Sequence, residues 1–131
     1  MEPQDSRAKR DRAYLEQWFP AAFGRSKRPL KLGIHHDVIA AGIVDEYGNP
    51  ISANRIRNAV RDFVSGPRYA KALLFAKHRI DLHGNPVEPV LESHRARAYK
   101  YLASIDGLPK RLRYRSTSPN ALSTKGASVS I

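Results

Sequence analysis

Asn54, Arg57 and Arg61 stand three and four residues apart inside "ISANRIRNAVRDF". At 3.6 residues per turn, that spacing puts all three side chains on one stripe of a helix. Like charges four residues apart cost an isolated helix about 0.2–0.5 kcal/mol. A sequence can carry that cost when an anion bridges the charges, and the planar fork of arginine suits phosphate. The surroundings favour this reading. Ala53 to Ile80 contain Arg55, Arg57, Arg61, Arg68, Lys71, Lys77 and Arg79 against one acid, Asp62. The acids that normally intersperse a solvated helix face are missing. Just past a break, Tyr69 follows Arg68. An aromatic beside a cation can stack on a base or sugar, and it can equally be a core residue with its hydroxyl at the rim.

The second informative stretch is "RPLKLGIHHDV", residues 28–38. Pro29 opposes helix just before it, while Ile34, Val38 and Ile39 favour helix just after it. Lys31 then precedes a helix start, where the amides of residues 34–37 could hold a phosphate or a terminal hydroxyl. The plain alternatives are an ordinary surface lysine and a stripe that is only the wet side of a helix. His35 and His36 are adjacent, so on a helix they should face different ways, and neither has the His-x3-His spacing of a metal pair. Without cysteine, a zinc site would need His78, His83, His94 and carboxylates to converge. Asp37 reads as a cap or dipole partner. There is no Walker A loop, GxSxG or GxGxxG, and no obvious catalytic pair of acids. The sequence reads as a binder with no cofactor or metal, not as an enzyme.

The elements that must position these residues follow from punctuation and periodicity. The 131 residues allow one compact domain. Residues 1–10 are expected to be flexible. Tyr14, Leu15, Trp18 and Phe19 predict a first amphipathic helix, which Pro20 ends or bends. A second helix is predicted over about 34–43. "DEYGNPIS" is a turn. Ser52 is a good N-cap for a third helix over 53–64, with Ile56, Val60, Phe63 and Val64 as its apolar face. Gly66 and Pro67 break it before a short helix over about 69–75. "HRIDLHGNPVEPV" predicts a small hairpin. A last helix runs over about 91–104, with Leu91, His94, Ala98, Tyr101 and Leu102 on one face. "DEYGNPI" and "DLHGNPV" read as two turns of the same chemistry, not as an internal repeat. The folded domain is placed at 11–105. Residues 106–131 are basic, then Ser/Thr-rich, with little to bury, and are expected to be flexible.

The formal net charge is +11. A surplus that large points to a polyanionic partner: nucleic acid, an anionic membrane surface or an acidic protein. The absence of cysteine excludes a disulfide framework and a thiolate metal site, and it is compatible with a reducing cytosol. The charged N-terminus has no apolar signal-peptide core, and no apolar run has the length of a membrane span. The expectation is a cytoplasmic protein with no membrane partner, and nothing requires more than a monomer.

"LEQWFPAAF" followed by "RPLKLGIHHDV" resembles the ProQ/FinO domain, which carries F-P-x-x-F and then R-P-L-K-(I/L)-G-I and an acid. "ISANRIRNAVRDF" resembles that domain's arginine-bearing helix. "SGPRYAKAL" resembles its R-Y segment and "HRIDLHGNPV" its R-(V/I)-D-L-x-G-N-P hairpin. The likeness runs in order from about residue 13 to 103. It implies a compact, mainly α fold with a small β-hairpin (α+β). It implies a bacterial RNA-binding protein of the RNA-chaperone type, acting in post-transcriptional regulation. Such proteins grip the base of a terminator-like stem-loop and its single-stranded 3′ end, and protect small RNAs and messenger 3′ ends or promote RNA–RNA pairing. By position, the binding residues implied are Lys31, Arg57, Arg61, Arg68, Tyr69 and Arg79, with Arg28 a weaker member. The 3′-terminal nucleotide would enter a pocket at a helix N-terminus, which "KLGIHHD" would supply.

On that reading the arginine stripe meets phosphates across a double-stranded stem, because A-form RNA hides its base edges in a deep, narrow major groove. Two other classes compete. The helix over 53–64 could be the recognition helix of a double-stranded DNA-binding module. The basic face could instead be an adaptor surface for an acidic protein.

Overall fold

Helix α4 (Ala53–Val64) starts where the cap was read: the Ser52 hydroxyl accepts the Arg55 N–H at 3.2 Å. It is the central element of a computed structural model that describes residues 4–109. Its Ile56, Ala59, Val60 and Phe63 are buried. Helix α1 (Gln4–Trp18) packs along one side of it and α3 (Ile34–Ala41) along another. The one-turn helix α2 (Pro20–Phe23) has proline at its first position, so Pro20 ends α1 and begins α2. Phe23 and Tyr69 meet Phe63 edge-on, with ring centres at 5.1 and 6.5 Å. Leu15, Leu30, Ile34, Val38 and Ile43 complete the main core.

After Gly66, which adopts a φ of +92°, helix α5 (Pro67–Phe75) packs on α6 (Glu92–Ser104). Ala70, Ala98, Leu102 and Leu108 form a second, smaller core there. The buried face of α6 is narrower than predicted. Ala98 and Leu102 are buried, whereas Leu91 and Tyr101 lie exposed. Between α5 and α6, strands β1 (His78–Ile80) and β2 (Pro86–Pro89) form an antiparallel hairpin.

Packing extends past both ends of the 11–105 span. Helix α1 begins at Gln4, not near Tyr14, and Ala8 is buried. Asp11 is 4% exposed and takes Arg55 in a two-pronged ion pair, at 3.1 Å from Nε and 2.7 Å from Nη2. The tie that holds this segment is 44 residues long, so its mixed local charge gave no sign of it. At the other end Leu108 folds back onto the second core. The predicted basic, Ser/Thr-rich tail lies outside the described residues from 110 onward.

The two echoing turns are built alike. The Asp45 Oδ1 accepts the N–H groups of Tyr47 and Asn49, both at 2.9 Å, and Gly48 takes φ +81°. The Asp81 Oδ1 accepts those of His83 and Asn85 at the same distances, and Gly84 takes φ +85°. Both are Asx turns closed by a residue that needs a left-handed conformation. The second one joins β1 to β2.

Candidate nucleic-acid interface

The stretch ahead of α3 is held as a third lane beside the hairpin. Leu30 bridges Ile80 in parallel. Ile80 N–H donates to the Pro29 carbonyl and Lys31 N–H to the Ile80 carbonyl, both at 2.8 Å. The remaining groups find side chains. Leu30 N–H donates to the Tyr69 hydroxyl at 2.9 Å, and the Leu30 carbonyl accepts from Arg79 Nη1 at 2.9 Å. Leu32 N–H donates to Glu88 Oε2 at 2.7 Å. Buried backbone groups must be paired, and at Leu30 two side chains from distant elements do the pairing, while the bond at Leu32 lies at the surface.

Two of the predicted contact residues, Tyr69 and Arg79, are thereby also tied into the fold. Tyr69 is 7% exposed, with its ring packed against the core. Arg79 is 6% exposed, and its Nη2 lies 2.9 Å from His94 Nδ1. Alternation along β1 should place Arg79 outward, opposite the buried Ile80. Instead Arg79 is buried with its Nη2 against His94 of α6, Ile80 packs in the main core, and β2 stays largely exposed.

Lys31 stays at the surface, its Nζ 2.9 Å from Asp37 Oδ2. The bond from Asp37 holds the Lys31 pKa above its ordinary value. Gly33 (φ +75°) caps α3 with no side-chain partner. The amides of residues 34–37 are not all available, as first expected. Ile34 N–H bonds the Lys31 carbonyl at 3.1 Å and His36 N–H the Gly33 carbonyl at 2.9 Å. His35 and His36 do not face apart either: their ring centres are 4.0 Å apart. Burial first, then His36 and Arg57, push the His35 pKa down. Helix α3 packs on α4, the helix that carries the arginine stripe.

On that stripe Arg57 and Arg61 are exposed and make no hydrogen bond or ion pair among the described residues. Arg55, on the opposite side of α4, is neutralised by Asp11. One turn past Arg61, Val64 and Ser65 open onto a cavity of about 510 Å³. Leu32, Tyr69, Leu73 and Tyr101 form much of its apolar wall, while Arg79, His94 and Arg97 supply polar groups.

Arg28 and Arg68 are exposed and anchored by one bond each, Arg28 to the Ala21 carbonyl (3.3 Å) and Arg68 to that of Arg25 (3.0 Å). Between them, Lys27 donates to the Phe63 carbonyl at 2.6 Å and lies over the Phe63 ring. Burial, then Arg12 and Arg68, lower its pKa. Lys27 and Arg97 escaped the sequence reading. Lys27 stands beside Arg28, which was the available signal; Arg97 had none beyond its charge. Among the described residues no three metal-ligating side chains gather, and no helix is long and apolar enough to cross a membrane.

The sequence profile of the ProQ/FINO family matches residues 7–113. The RNA chaperone ProQ of Aeromonas salmonicida is 40% identical over 85 residues, covering 63% of this chain and 39% of that protein. That of Idiomarina loihiensis is 36% identical over 93 residues, covering 69% and 43%. The chain thus spans about two fifths of the length of the curated relatives it matches. Among solved structures, a FinO-like RNA chaperone of Neisseria meningitidis superposes with a TM-score of 0.63 at 24% identity, covering 82% of this chain and 84% of that one. A ProQ homolog from Legionella pneumophila superposes with a TM-score of 0.58 at 26% identity, covering 82% and 87%.

Proposed function

The chain belongs to the ProQ/FinO family, and from there we propose that it binds structured RNA as an RNA chaperone in the cytoplasm, acting as a monomer. Its targets are stem-loops with a single-stranded 3′ end, such as small RNAs and messenger 3′ ends. The stem lies along Arg57 and Arg61, with Arg68 and Arg28 on phosphates further out. The 3′ end meets Lys31 and the cavity beside it. Tyr69 and Arg79 serve by holding the backbone from which Lys31 projects. No bond is made or broken. Charge neutralisation protects the bound end and lowers repulsion between two RNA strands, which favours pairing.

The observation that carries this reading is the pair of exposed arginines on α4, with no hydrogen bond or ion pair among the described residues, on a helix that packs on α3 and whose C-terminal end lines the cavity. Membership of the ProQ/FINO family favours RNA over the DNA-reading alternative.

A gel-shift titration tests it with one stem-loop carrying a short 3′ uridine tail, ending either in a hydroxyl or in a phosphate. Tighter binding of the hydroxyl form is expected, with DNA duplex a poor competitor. Equal binding of the two forms would reduce the protein to a general basic RNA binder.

A further inference from the structure

His35 and His36 form a stacked pair of imidazoles on α3, with ring centres 4.0 Å apart and planes at 38°. His36 is exposed and His35 half-buried. Neither ring makes a hydrogen bond or ion pair among the described residues. The charges around the pair are mostly cationic. Arg57 of α4 lies close enough for its charge to act on His35, and so does His36; burial comes first, and all three push the His35 pKa down. Of the other charges on α4, Arg61 adds a cation, while Arg55 is paired with Asp11 and Asp62 with Arg12. Asp37, the acid on the same turn of α3, is held by Lys31. A proton placed on the pair therefore meets the field of Arg57 with no carboxylate paired to offset it.

We propose that His35 and His36 form, with Arg57, a proton-taking contact for an RNA backbone phosphate, so that binding draws up a proton and tightens as pH falls. The inference rests on the reading that RNA lies along Arg57. An unperturbed imidazole titrates near about pH 6.5, where small changes in its surroundings decide its charge. A phosphate on Arg57 brings the anion that the pair lacks. An opposite charge within a few ångströms favours the protonated ring, whereas Arg57 alone disfavours it. The pair thus holds a proton more tightly with RNA than without. Two rings 4.0 Å apart repel if both are charged, so the pair takes up one proton, which belongs to neither ring alone. By linkage, the state that binds more protons gains as pH falls. Affinity therefore rises on acidification and levels off once the free pair is itself protonated. Arg57 and Arg61 keep their charge throughout this range and cannot supply such a dependence.

The test is a fluorescence-anisotropy titration of the full chain against one stem-loop with a 3′ uridine tail, at pH 7.5, 6.5 and 5.5 and constant ionic strength. Circular dichroism checks the fold at each pH. The wild type is expected to bind about fivefold more tightly at pH 5.5 than at pH 7.5, the effect of raising one pKa by somewhat less than a unit. The double variant His35→Gln/His36→Gln should lose most of that dependence. His36→Gln alone, at an exposed position, should weaken it and serves if loss of His35 unfolds the chain. Calorimetry of the wild type at pH 6.5, in two buffers of different ionisation heat, should show net proton uptake on binding and needs no variant. A wild type whose affinity is flat with pH and which takes up no proton would overturn the proposal and leave RNA binding along Arg57 standing. Equal tightening in the wild type and the double variant would also overturn it, because the proton would then sit on another histidine or on the RNA. Absence of RNA binding at every pH would remove the reading of Arg57 as well.

Discussion

The Tyr69 hydroxyl accepts the backbone N–H of Leu30 at 2.9 Å, across 39 residues of sequence. Arg79 takes the carbonyl of the same Leu30 from another element. Both residues thus fix the peptide that presents Lys31, and substitutions at them are expected to lower stability whatever they do to binding.

Tyr69→Phe keeps the ring and removes only the acceptor. Leu30 N–H is then buried without a partner, which costs about 1–3 kcal/mol. A urea titration should show a lower midpoint with an unchanged slope. An unchanged midpoint would show that the bond contributes nothing net.

Arg57 and Arg79 should separate binding from stability. Arg57→Ala removes an exposed cation and is expected to leave the urea midpoint within about 0.5 kcal/mol of wild type. It should weaken RNA binding across sequences. With about five phosphate contacts, the wild-type log–log salt slope should be near −4, and Arg57→Ala should make it shallower by about one. Arg79→Met should instead destabilise the fold by about 2–3 kcal/mol, since the Leu30 carbonyl and His94 lose a charged donor. Normal RNA binding by Arg57→Ala would remove the stripe from the interface.

The Asp11–Arg55 pair ties α1 to α4. Removing a buried partner leaves an uncompensated charge, but the Arg55 side chain is 33% exposed and water can reach it. Asp11→Ala should therefore cost about 2 kcal/mol, less than a fully buried pair. Hydrogen exchange should show the α1 amides losing protection first. Uniform loss across the molecule would argue that α1 is no separate unit.

Two groups give stability the same sign of pH dependence. The His35 pKa is pushed down by burial, His36 and Arg57. The unfolded chain therefore takes up this proton first as pH falls, so stability should decline below about pH 6.5. The Asp81 pKa is pushed down chiefly by the Asn85 N–H. Its contribution is present above the ordinary carboxylate range near pH 4 and is lost as pH falls through the lowered folded value. Urea midpoints at pH 7.5, 5.5 and 3 should decrease in two steps. His35→Gln should flatten the first step and Asp81→Asn the second. A first step that survives His35→Gln would assign it to another histidine.

Much of this protein is written in contacts that lie close together in sequence. The Ser52 cap, the α4 stripe, the break at Gly66-Pro67 and the twin Asp turns all depend on residues within a few positions of one another. Spacing alone therefore specified them, and the charge surplus specified a polyanionic partner. The division of labour among the cations was decided elsewhere. Arg55 and Arg57 differ by two positions, yet one faces Asp11 across 44 residues and the other faces solvent. Arg79 and Tyr69 turn inward because Leu30, on another lane, exposes an N–H and a carbonyl that burial obliges them to satisfy. Glu88 finds Leu32 across 56 residues. The chain carries the charges and the local turns. Only the packed structure sets which charges are used to close the fold and which remain exposed, because burial and pairing are properties of neighbours brought together from far along the sequence.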